Sequence, residues 1–262
     1  MTGYSRSDLL AMLRSADPAE RDEIAYFGLV QRVASGAEDT SLVSLGDEMA
    51  TRLGGQEIQA RTFAALILGE VVDRDRVTGL APGEAVARWR DAFAAWYPAE
   101  TDLRGWDERL GWLHAVAHGA DTLAAFGRSP RLDRAGLRGL LDVARARLLA
   151  PTEYVLHDQE DDRLGYALAL VLSRPELGEP DAAGWLEPVT CVFAAGTPGP
   201  VPPHLTNTMR TLRALYLLCD RGFRFPEATA GEPEAPVTHV AHPAALKDAL
   251  AGALRLAWPY VA

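Results

Sequence analysis

Cysteine is scarce in this chain of 262 residues: Cys191 and Cys219 are the only two. They stand far apart with no Cys-x-x-Cys, which excludes a disulfide framework and a cysteine-based zinc site. Both fall in expected helices, so reduced, mostly buried thiols are expected. Lysine is nearly absent, with Lys247 alone beside many arginines. With so much Ala, Gly and Leu, that bias reads as a coding preference rather than a function. No apolar run reaches the roughly 18 residues that a membrane span needs. The start, "MTGYSRSDLLAMLRSADPAERDE", has no signal-peptide core, so a cytoplasmic chain without a membrane partner is expected. Excess positive charge is missing too: 26 Lys and Arg stand against 36 Asp and Glu, a net charge of −10. That weighs against nucleic-acid binding, which needs a basic face to displace counterions. Gly-x-Ser-x-Gly does not occur, and no Ser or Cys nucleophile is marked by its neighbours.

Strand periodicity is the last absence. Nearly every apolar pattern has a spacing of three to four. Helices are expected over 20–33, 41–53, 58–72, 83–96, 107–126, 135–149, 161–172, 182–194, 205–220 and 243–258. "PVTHVAH" is the best strand candidate, but it is short and carries a proline. The fold class expected is all-α, about ten helices as stacked helix pairs of the HEAT-like or α-α superhelix type. One domain over 1–262 is expected, because no linker divides the chain. The Pro-, Glu- and Gly-rich stretch 225–242 reads as a mobile loop before a C-terminal helix.

What is present is a histidine pair. In "ETDLRGWDERLGWLHAVAHGAD", residues 100–121, His114 and His118 are four apart and Asp121 follows. On a helix with His114 at zero, His118 falls at about 40° and Asp121 at about −20°. Trp112, Val116 and Leu123 fall on the opposite, packing side. Small neighbours along the polar edge leave room for a second helix or a ligand.

Three readings fit. Asp121 can fix the tautomer of His118 as a satisfied structural pair. The His-x-x-x-His spacing suits two imidazoles on one metal ion. Yet position 115 is not Glu and Asp121 is a poor third ligand, so no metal set is assigned and no cofactor is named. A carboxylate-oriented histidine can also move protons near neutral pH.

Two polar stretches are expected to join this edge. Upstream lie Asp102, Arg104 and Trp106. Downstream lie Tyr154, His157, Asp158, Glu160, Asp161, Asp162 and Arg163. Acidic residues there suit a helix N-terminus. Alternatively, Glu160 or Asp161 faces the histidine helix and completes a pocket. The expected pocket is Asp102, Arg104, Trp112, His114, His118, Asp121, Tyr154, Glu160, Asp161 and Arg163.

The run "DLRGWDERLGWLHAVAHGADTL" resembles the signature of a bacterial family, domain of unknown function 2785. The matching positions are Asp102, Arg104, Gly105, Gly111, Trp112, His114, Ala117, His118, Ala120 and Asp121. "RDEIAY" at 21–26, "RTFAALIL" at 61–68, "EDDRLGYAL" at 160–168 and "NTMRTLRALY" at 207–216 are also similar, so the resemblance spans roughly 17–220. It implies an all-helical protein and carries no activity. The expected role is binding a small molecule or a protein partner. The alternative is a hydrolase or lyase working through His118 and Asp121. The oligomeric state is not legible.

Overall fold

The computed structural model describes residues 3–196, 199–225 and 235–260. Helix packs on helix, and the chain forms two compact units. One comprises Met1–Leu132 with Leu156–Glu160, the other Asp133–Val155 with Asp161–Ala262. No helix among the described residues is long and apolar enough to cross a membrane.

The first unit is built around α4, Ile58–Thr78. Its buried residues occur on every side, from Ile58 and Phe63 to Val72 and Asp75, as expected of a helix enclosed by others. Gly79 ends it in the left-handed conformation (φ 69°). Against α4 pack α2 (Phe27–Ala34), α3 (Leu42–Arg52) and α6 (Ala115–Arg128). α5 (Gly83–Trp96) lies against α3. Small residues set the helix separations. Gly69 of α4 lies where a Cβ would sit 3.5 Å from the Thr122 backbone of α6, and Thr122 Oγ1 donates to the Ala65 carbonyl at 2.8 Å. At Gly119 of α6 a Cβ would stand 2.1 Å from the Tyr97 ring, whose hydroxyl donates to the Val116 carbonyl at 2.7 Å.

In the second unit, α7 (Arg134–Leu149) packs on α11 (Pro203–Arg221), and Thr208 Oγ1 donates to the Leu148 carbonyl at 2.8 Å. α12 (Pro243–Ala257) covers α9 (Glu179–Gly184), α10 (Glu187–Ala194) and α11. α8 runs Glu160–Leu172, with the boundary between units after its first residue.

Several expectations are corrected. Residues 107–113 do not continue α6. They form an antiparallel hairpin, β1 (Trp106–Asp107) with β2 (Gly111–Trp112), pairing Trp106 with Trp112. Asp107 Oδ1 accepts the N–H groups of Arg109 and Leu110, and Gly111 adopts φ 70°, so local turn chemistry overrides the helical spacing. The 182–194 helix is two, because Pro180 and Pro188 each sit in a first turn. Residues 19–26 wind as a π-helix ahead of α2, and a further helix, α1, spans Arg6–Met12 behind a Ser5 capping box. Cys191 is exposed; Cys219 is buried. Of the expected 225–242 loop, 226–234 lie outside the described residues, and Thr238 forms a bridge with Phe223.

Gly119→Ala forces its methyl group into Tyr97 and is expected to lower stability by about 1–3 kcal/mol in urea unfolding. Gly139→Ala, within α7 where a Cβ meets nothing within 4 Å, is expected to raise it by about 0.5–1 kcal/mol.

Candidate functional site

The site begins with Arg21, carried on the π-helix and wholly buried. Its guanidinium donates to the carbonyls of Leu110 at 2.7 Å and Trp112 at 3.3 Å, so it grips both sides of the hairpin's return. Nε pairs with Asp22 at 2.7 Å, and the group lies 4.7 Å over the Phe63 ring. Gly111 lets the hairpin approach: a Cβ there would meet Pro18 at 2.9 Å. Extended π-helix is rare and favours functional sites, which fits its placement here.

The hairpin presents two indoles. Trp106 is 51% exposed and Trp112 42%, with ring centroids 4.8 Å apart, edge to face. The expectation that Trp112 packs on the apolar side of a helix is therefore corrected. Instead it stacks flat on the His114 imidazole, centroids 4.3 Å apart and planes 8° from parallel. His114 is the N-cap of α6 in the left-handed region, φ 44° and ψ 41°. His118, one turn on and buried, lies 5.8 Å from His114 by ring centroids and packs edge-on to Phe63 at 5.1 Å.

Under His114 stands Glu160, fully buried. Its Oε1 is 3.5 Å from His114 Nδ1, an ion-pair separation without hydrogen-bond alignment, and both atoms are buried with no hydrogen-bond partner. Oε2 accepts from the Asp158 N–H at 2.8 Å. Burial pushes the Glu160 carboxyl up. The facing His114 and the N–H groups of Glu160 and Asp158 outweigh that and hold it below the usual carboxylate range. Asp158 Oδ2 is likewise buried and without a hydrogen-bond partner, 3.1 Å from His157 Nδ1. Gly105 makes this crowding feasible: a Cβ there would fall 2.2 Å from Asp158 Oδ2 and 2.6 Å from Glu160 Oε1. Its carbonyl accepts the N–H groups of Leu113 and His114. Gln159, beside Glu160, is also left-handed at φ 65°. Among the described residues, His114 and Gln159 are the non-glycine positions with positive φ, and they flank one contact.

Arg104 closes the rim. Asp102 holds it in a fork, Nε at 2.8 Å and Nη2 at 2.6 Å, and Asp107 takes Nη1. Arg104 holds the Asp102 carboxyl below its ordinary range. Asp121 sits on α6, where its charge acts on Glu70 of α4. Burial first, then Asp73 and Asp121, push Glu70 up to about 7 against the pull of Arg128.

The first unit thus brings together Asp102, Arg104, Trp112, His114, His118 and Glu160. Tyr154, Asp161 and Arg163 belong to the second unit. There the Tyr154 carbonyl accepts from Asn207 at 2.9 Å and Asp161 pairs with Arg210 at 2.6 Å, while Arg163 is half-buried. Among the described residues no group of three or more His, Cys, Asp or Glu is placed to hold a metal ion. Sequence reasoning gave Arg21, Phe63 and Glu70 no site role; the family-like stretches at 21–26 and 61–68 hold the first two, but the contacts that matter join residues tens of positions apart.

A family model described as "Protein of unknown function (DUF2785)" matches residues 51–217, more than half of the chain. The chain belongs to the DUF2785 family. No curated protein and no solved structure matches it. The DUF2785 match contains the hairpin, His114, His118 and Glu160; "RDEIAY", with Arg21, lies before it.

Arg21→Leu strands two carbonyls and the Asp22 charge. It is expected to cost about 3–5 kcal/mol in urea unfolding and to alter the near-ultraviolet tryptophan signal. Glu70 has a folded pKa of about 7 against an ordinary 4.5, so the folded state holds its proton longer and loses stability as pH rises between these values. Glu70→Gln is therefore expected to unfold later than the natural chain at pH 8 and together with it at pH 4.

Proposed function

We propose that this DUF2785 protein is a cytoplasmic ligand-binding protein that takes a small molecule on the Trp106–Trp112 ledge, above His114 and Glu160. The carrying observation is the stack itself. Two large indoles stand half-open to water at the open end of a pinned hairpin, one of them laid flat on an imidazole backed by a buried carboxylate. Exposed aromatic faces beside a few fixed polar groups suit small-molecule recognition. A net charge of −10 supports a small molecule or protein partner over a nucleic acid.

A second reading, an acid–base enzyme, has one specific observation in its favour. The carboxylate faces His114 Nδ1, which leaves Nε2 as the nitrogen that would exchange a proton with a bound substrate. In that reading His114, rather than His118, transfers the proton, and Glu160 positions it.

Ligand-observed NMR against a library of small metabolites tests the binding reading. Hits are expected with the natural chain and are expected to vanish in Trp106→Ala and Trp112→Ala variants whose unfolding midpoints are preserved. Hits that persist unchanged in both variants would overturn it. For the enzyme reading, a hit consumed by the natural chain and left intact by His114→Ala is the expected outcome.

A further inference from the structure

We infer that the ligand of this ledge is an organic cation, held by the exposed indole surface of Trp106 and Trp112 beside a cluster of carboxylates. The inference rests on the binding reading above and narrows it to one chemical class.

Charge around the ledge is unbalanced. Asp102, Asp107, Glu108, Asp158 and Glu160 stand against the guanidiniums of Arg104 and Arg109. With neutral imidazoles that leaves an excess of three negative charges, five minus two. Other nearby ions cancel in pairs, Arg21 with Asp22 and Arg61 with Glu100. Protonating His114 and His157 together would still leave one negative charge, three minus two. Arg104 is already engaged by both Asp102 and Asp107, which makes it a poor anchor for an anionic ligand.

Two of these carboxylates carry an acceptor atom that meets only an imidazole nitrogen out of hydrogen-bond alignment, at 3.5 Å for Glu160 and 3.1 Å for Asp158. Glu160 Oε1 and Asp158 Oδ2 are buried without a hydrogen-bond donor. Each lies within 2.6 Å of the point where a Gly105 Cβ would be, so they are at most 4.8 Å apart, 2.2 plus 2.6. Charge fixed under a cover of aromatic rings is screened far less than charge in water. Above it, indole faces attract cations through the ring quadrupole. Field and quadrupole therefore act in the same direction, and both oppose an anion. Being half-open, the indoles leave an approach to the ligand from solvent.

Choline and its uncharged isostere 3,3-dimethylbutan-1-ol separate charge from shape. Benzoate serves as the anionic probe and methyl β-glucoside as a neutral ring. Each is titrated into the full chain while the indole N–H resonances of Trp106 and Trp112 are followed, assigned with Trp106→Phe and Trp112→Phe. Choline is expected to shift both resonances and to bind at least fivefold more tightly than the isostere. Asp158→Asn is expected to weaken choline and leave the isostere unchanged. Should the isostere, benzoate or the glucoside bind these indoles as well as choline does, the cation assignment falls while the ledge stands as a binding site. Should no probe move either indole, both fall.

Discussion

One guanidinium without water contact holds the candidate site in shape. Arg21 reaches the carbonyls of Leu110 and Trp112, ninety residues away, and satisfies them where water cannot. Remove that bond and the hairpin keeps a two-residue ladder, the Asp107 turn and the Gly105 carbonyl's bonds, local contacts too few to persist alone. Hairpin position fixes Trp112, Trp112 covers His114, and His114 covers Glu160. Each layer depends on the one before, and all rest on a buried arginine that is itself anchored by Asp22 and Phe63.

Stored strain accompanies this stack. His114 and Gln159 both occupy the left-handed region, at about 1–3 kcal/mol each by general experience. Gly105 admits two carboxylates to a space that any side chain would fill. A packed helical core gains nothing from these features, since a helix can begin at a Ser or Asp cap without such crowding. Their coincidence at one contact, with half-exposed indoles above, is what makes this place the candidate site.

Electrostatics follows the same division. Elsewhere in the first unit arginines neutralise their acids closely, as Arg61 does Glu100 and Arg74 does Asp39. At the hairpin, acids outnumber their partners. On the α4–α6 surface, burial first and then the charges of Asp73 and Asp121 lift Glu70 toward neutrality against the pull of Arg128.

Most helices were legible because a helix that buries one side writes a period near 3.6 into the chain. Gly83–Trp96 begins after its proline and ends at the residue expected. The spacing of His114 and His118 pointed to the candidate site, whereas Asp121 bears on Glu70 instead, and the DUF2785 signature covered Gly105 and Gly111. Periodicity failed over 107–113, where Leu110 and Leu113 fall at helical spacing by accident of a turn; Asp107 and Gly111 carried the better signal. Thus the sequence by itself determined helix content, charge sign and the position of the histidines, since each is set by neighbours within a few residues. Only tertiary structure decided that Glu160 faces His114, that Arg21 pins the hairpin, and that Asp121 bears on Glu70. Those contacts join residues 46 to 91 positions apart, and burial, rather than any local pattern, selects them.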